Sequence, residues 1–221
     1  RASIGYTIKE VESNITSMLD PATIDAHDIG LILELPLYKM LRELQIVPLL
    51  GFKNVQPYID PGFYASKTNI GDTIVYVKGA TPDPIPRNLS LGINVNTGIK
   101  YSGKYFNFTL ASFKWAREVD DILIKVNEDK TREYVSGLHD VKFWDNVIMG
   151  KTNDKIISKR GYEINLGDCY FIRKGNYQDI EGRVIFNTEG WGIDYCRPIS
   201  YLIELFDIDN SIITILSKIR F

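Results

Sequence analysis

Asp121, Asp140 and Lys142 are the residues best placed, by type and spacing, to do chemistry. Each carboxylate adjoins an apolar, strand-like stretch: Ile122-Leu123-Ile124 beside Asp121, and Phe143-Trp144 after Asp140-Val141-Lys142. Two carboxylates at neighbouring strand ends can hold Mg²⁺, which stabilises the charge that builds up in phosphodiester hydrolysis, while a lysine beside them orients or activates the attacking water. The G-x-S-x-G elbow, the P-loop and the G-x-G-x-x-G loop are absent. His27 stands between Asp25 and Asp28, and His139 precedes Asp140. Capping and loop hydrogen bonds account for the carboxylates around His27 more simply than a catalytic dyad does.

The spacing of Asp121, Asp140 and Lys142 is similar to the pattern of the PD-(D/E)XK nucleases, over the stretch from Asp121 to Trp144. The proline that precedes the first aspartate in that family is missing here. The resemblance implies a Mg²⁺-dependent nuclease, which stands as an alternative reading. Otherwise no cofactor is expected, and two cysteines, Cys169 and Cys196, without C-x-x-C spacing do not suggest a zinc site.

Arg173, Lys174 and Arg183 form the candidate binding group. They lie within Gly167 to Phe186, which reads as two short strands joined by a glycine-bearing turn. Gly175-Asn176-Tyr177 followed by Glu181-Gly182-Arg183-Val184 resembles the KOW motif of SH3-like barrels in some ribosomal proteins and elongation factors. The resemblance implies a small barrel at the carboxyl end. It also implies a nucleic-acid-binding module as a further alternative. Gln178 and Asp179 stand where that family carries a Lys-Gly pair, and acidic residues outnumber basic ones from 160 to 221. A formal net charge of -2 over 221 residues likewise does not favour a polyanion as partner.

The elements that must position these groups read as follows. At 44% apolar and 12% aromatic residues the chain can build a substantial core. Ile4, Ile8, Val11, Ile15 and Met18 recur at helical spacing, which predicts a helix over 3 to 19. A second helix is expected from Pro36, carrying Leu37, Met40, Leu41 and Leu44 on one face. Residues 51 to 67, with Pro57, Pro61 and Gly62, read as an ordered loop, and the proline-rich 79 to 87 as an edge or projecting loop. Strands follow at 73 to 77, 89 to 96, 105 to 110, 122 to 126 and 141 to 144, and a closing hairpin is expected over 201 to 221.

The expected class is therefore α+β and β-rich: two amino-terminal helices, a central antiparallel β region, and a carboxyl-terminal SH3-like small barrel. The expected division is 1–155 and 156–221. With no run of about 20 apolar residues to span a bilayer as a helix, the chain is expected to be soluble, in a virion or the cytoplasm, with no membrane contact. The leading functional expectation is a non-enzymatic structural subunit that binds other protein subunits in an oligomer or hetero-assembly, such as a virion or a phage head-tail or tail component.

Overall fold

The computed structural model describes residues 1–14, 21–46, 54–76, 82–103, 107–195, 197 and 199–201. Its centre is one antiparallel sheet of eight strands: β1 (Ala2–Ser13), β2 (Ala22–Glu34), β3 (Val55–Gly71), β6 (Asn88–Ser102), β7 (Asn107–Ile122), β10 (Ile157–Leu166), β11 (Tyr170–Asp179) and β12 (Val184–Ile193), side by side in that order. Every neighbour in the sheet is also the next long strand along the chain, an up-and-down meander. Two small hairpins hang from it, β4 (Thr73–Ile74) with β5 (Asp83–Pro84), and β8 (Ile124–Val126) with β9 (Arg132–Tyr134).

This overturns the expected α+β class. The predicted first helix is the strand β1, paired with β2 from Ala2↔Leu33 to Ser13↔Ala22. Ile4, Tyr6 and Ile8 alternate with Ser3, Gly5, Thr7 and Lys9, a period of two that a strand presents as two opposite faces. The helical spacing of Ile4, Ile8 and Val11 omitted Tyr6 and gave no weight to the β-branched residues, which fit a pleated surface better than a helix turn. Residues 15 to 20, with the rest of that prediction, lie outside the described residues. The helix expected from Pro36 does form, as the short α1 (Leu37–Glu43).

Residues 55 to 67 are strand rather than loop. Proline is tolerated in a sheet where its missing N–H faces no partner strand. Pairing of β2 with β3 begins at Glu34↔Gly62, so Pro57 and Pro61 sit where β3 pairs with β6 alone. The strand expected over 89 to 96 is longer, since β6 runs on through Thr97 and Gly98. Val141 to Trp144 is no strand: Phe143–Ile148 forms a single π-helical segment.

The carboxyl-terminal small barrel is corrected as well. The hairpin read between Gly167 and Phe186 exists as β11 and β12, but β10, β11 and β12 extend the main sheet, and β10 pairs with β7 along its whole length, from Ile157↔Asp120 to Leu166↔Ala111. The closing hairpin expected beyond Tyr201 lies outside the described residues.

The buried core is small and divided. One cluster packs Leu91 and Val119 of the sheet against Val141, Val147 and Ile156 of the segment between β9 and β10, with Phe63 and Phe143 ring centroids 6.0 Å apart at its rim. The other packs Ile24 and Ala26 against Ile74 of β4 and Ile85, the residue after β5.

Candidate functional site

The structure brings two of the three predicted catalytic residues together. Asp121, at the end of β7, is buried, and its Oδ2 accepts the Asp140 backbone N–H at 2.7 Å. His139 Nδ1 lies 3.3 Å from Asp121 Oδ1 and 3.2 Å from Asp140 Oδ2, and Lys155 Nζ lies 3.5 Å from Asp140 Oδ1. Two carboxylates and an imidazole whose ligand atoms lie within 4.8 Å of one another have the donor types of a divalent-cation site. Their oxygens are already engaged with each other's partners, and the visible work of Asp121 is to tie the 137–140 turn to the sheet. Lys142 does not complete the set: its backbone N–H bonds Asn146 Oδ1, and its charge acts on Asp145. Lys151, 2.7 Å away, holds the Asp145 carboxyl below the usual carboxylate range.

The three predicted binding residues do not converge. Arg173 and Lys174 are consecutive in β11 and so point to opposite faces, each with its own carboxylate: Glu163 at 2.6 Å and Glu189 at 2.8 Å. Arg183 sits at the other end of that strand, in the turn before β12, with φ of 55°.

The feature that sequence reasoning missed is the contrast between the two faces of the sheet. Residues paired across an antiparallel ladder share a face, so the register assigns every strand position to one side or the other. One face carries Ile4, Tyr6 and Ile8 of β1, Leu33, Leu31 and Ile29 of β2, Ile59 and Phe63 of β3, Leu89 through Ile99 at alternate positions of β6, Phe113 and Trp115 of β7, Leu166, Ile164 and Tyr162 of β10, Tyr170 and Ile172 of β11, and Ile193 and Trp191 of β12. Many of these are bare: Ile4 is 78% exposed, Ile8 75% and Trp191 73%.

The opposite face mixes polar residues and glycines with apolar ones, among them Ile24 and Ala26 under the first small hairpin, and Ile32, Tyr64, Phe171, Tyr177 and Phe186. Asn94 and Asn96 of β6, Lys114 and Glu118 of β7, and Lys159 and Glu163 of β10 lie on it. So do the β-sheet glycines 5, 30, 62, 92, 98, 161, 175, 190 and 192. Its charges are paired across strands: Lys114 bonds Glu163 at 2.9 Å, Glu163 bonds Arg173, Lys159 bonds Glu118 at 2.7 Å and also Asp120, and Lys9 bonds Asp28 at 2.7 Å. A groove of about 730 Å³ lies between Glu34, Asp60, Asn94, Asn96, Lys114 and Glu163.

The apolar face ends in charge along a slanted line. Its first charged residues are Glu10 and Asp25 on β1 and β2, then Lys67 on β3, then Arg117 and Arg160 across β7 and β10, then Lys174 and Glu189 across β11 and β12, while β6 carries none on this face. Beyond this line the apolar residues Leu91 and Val119 are covered by the chain's own 141–156 segment, whereas Phe113, Ile164 and Ile193, short of it, are left uncovered or half covered. The signal was legible in the alternation of β1 and of Leu89-Ser90-Leu91-Gly92-Ile93-Asn94-Val95 in β6.

No helix among the described residues is long and apolar enough to cross a membrane. No protein-family model matches the chain, and no curated protein sequence matches it.

Proposed function

We propose that this chain forms wall of a transmembrane β-barrel, its apolar face toward lipid and its glycine-rich, ion-paired face toward a polar interior. The observation that carries the reading is the slanted charged boundary. A membrane plane cutting strands that all tilt must cross each successive strand at a shifted register position. Here the shift is about ten residues over the seven steps from β1 to β12, which at roughly 3.4 Å per residue and 4.8 Å between strands is a tilt near 45°. Strands of 10 residues in β10 to 17 in β3 are long enough to cross hydrocarbon at that tilt.

Three further features support it. A soluble protein rarely leaves a contiguous apolar face of this extent bare, because burying it would be worth about 25 cal/mol per Å². Confining the sheet glycines to one face suits a sheet that curves toward that face, where side chains converge and space runs short. In an up-and-down barrel each strand neighbours the next in sequence, as here.

We carry the expectation of a structural subunit forward in a changed form. β1 and β12 are the two edges of the described sheet, and an open edge in lipid leaves backbone groups without partners at several kcal/mol each. Further strands, of this chain or another, must therefore complete the barrel. The nuclease alternative is not carried forward, because Lys142 stands apart from the two aspartates in its contacts. The test is folding from urea into phosphatidylcholine vesicles. Insertion gives a species that resists added protease along its strands and migrates differently on a gel before and after boiling. A chain that remains in the aqueous phase, fully digestible, contradicts the reading.

A further inference from the structure

On the apolar face, where the bare surface meets the charged boundary, a groove of about 300 Å³ is lined by Trp115, Arg160, Tyr162, Lys174, Asn187 and Glu189. Arg160 is directly opposite Arg117 in the β7–β10 register, and Trp115 is directly opposite Tyr162. Like charges placed directly across a ladder destabilise it unless something of opposite sign is shared between them. Arg117 has found partial relief: its guanidinium donates to the Ile148 carbonyl at 3.1 Å and lies 5.3 Å from the Trp115 ring centroid. Lys174 is held by Glu189 at 2.8 Å. Arg160 has no carboxylate partner among the described residues. The groove thus holds two cations against one carboxylate, with a third cation beside it.

Resting on the barrel reading, we propose that this groove binds the phosphate of an anionic membrane lipid, with Arg160 as its principal ligand. A guanidinium meets a phosphate with paired N–H donors, the geometry in which arginine outperforms lysine. The aromatic pair Trp115 and Tyr162 stands at the level where amphipathic rings settle at a lipid–water interface. Below it Phe113, Ile164 and Ile172 continue one row of the apolar face, a track for the acyl chains attached to the bound headgroup. The phosphate supplies the negative charge that the Arg117–Arg160 row lacks.

The test uses the full chain in phosphatidylcholine nanodiscs, with phosphatidylglycerol titrated in and lipid retained on the protein counted by native mass spectrometry. Wild type should retain phosphatidylglycerol in preference to phosphatidylcholine, and Arg160→Gln should weaken that retention roughly tenfold, the loss of one charge-assisted contact of about 1.4 kcal/mol. Arg183→Gln, in the distant turn, should retain it as wild type does. Equal retention of both lipids, or no change in Arg160→Gln, overturns the proposal, as does displacement of the lipid by inorganic phosphate at equal concentration, which would make the groove a simple anion site. A chain that never enters the nanodiscs contradicts the barrel reading itself, and is distinguished by its absence from the disc fraction before any anionic lipid is added.

Discussion

The ring of Tyr64 on β3 lies over the Cα of Gly92 on β6, so close that a methyl group at position 92 would overlap it. Tyr64 then reaches on to β7, where its hydroxyl donates to the Arg117 carbonyl at 3.2 Å. One glycine thereby lets a tyrosine span three strands on the glycine-rich face. Gly92→Val should displace the ring, break that bond and cost about 1–3 kcal/mol. Gly5→Ala, where an added methyl meets nothing within 4 Å, should cost far less. Urea titrations of the two variants in the same vesicles check the difference.

Phe113 is 41% exposed on the apolar face. On a water-facing surface Phe113→Arg would change stability by less than about 0.5 kcal/mol. Facing lipid, the same change should cost about 2 kcal/mol or more, depending on its depth. The inserted fraction at increasing urea separates the two values.

Asp168 in the β10–β11 turn joins three pieces of chain. Its carboxylate accepts the Thr109 backbone N–H at 2.7 Å and the Asn165 side-chain amide at 2.9 Å, and Arg197 lies 3.5 Å away. Burial pushes its pKa up, but these donors outweigh burial and hold it below the usual carboxylate value. A depressed folded-state pKa gives stability that is present above the unfolded value of about 3.9 and is lost as pH falls through the folded one. Asp168→Asn should therefore be less stable than wild type at neutral pH, and the gap should close in acid below about pH 4. Thermal unfolding across that range reads it.

Asp121 fastens the 137–140 turn, and with it the segment that supplies Val141 and Val147 to the core. Asp121→Ala removes the acceptor of the Asp140 N–H and should open residues 127–156 to limited proteolysis while β10 to β12 stay protected. Lys142→Ala, whose backbone bond to Asn146 survives the change, should leave the cleavage pattern as it is.

Much of the sheet could be read from the chain, and its arrangement could not. The β11–β12 hairpin was legible in the two strand-like runs between Gly167 and Phe186, and the β-branched and aromatic residues gave 89–96 of β6 but only the first residues, 107–110, of β7. β1 was lost because Ile4 and Ile8 satisfy both periods while Val11 fits the helical one alone, and only Tyr6 argues for the strand. β3 was lost to Pro57 and Pro61, whose tolerance depends on where β2 stops, a fact of tertiary pairing. The face contrast could not be seen strand by strand, because the slanted boundary from Glu10 to Glu189 exists only once the register is known. Asp121 and Asp140, grouped by spacing, lie side by side in the structure, whereas Lys142 leads into the π-helical turn that begins just after it.

The most direct test places single cysteines at Ile93, Asn94, Val95 and Asn96 of β6, with Cys169 and Cys196 replaced by serine, in vesicles of brominated phosphatidylcholine. A bimane on each reports its surroundings. A barrel wall predicts strong bromine quenching at 95, weaker at 93 where the 141–156 segment packs, and none at 94 and 96, which a water-soluble quencher should reach instead. Equal access of the water-soluble quencher at all four positions, with no quenching by bromine anywhere, would contradict a lipid-facing sheet.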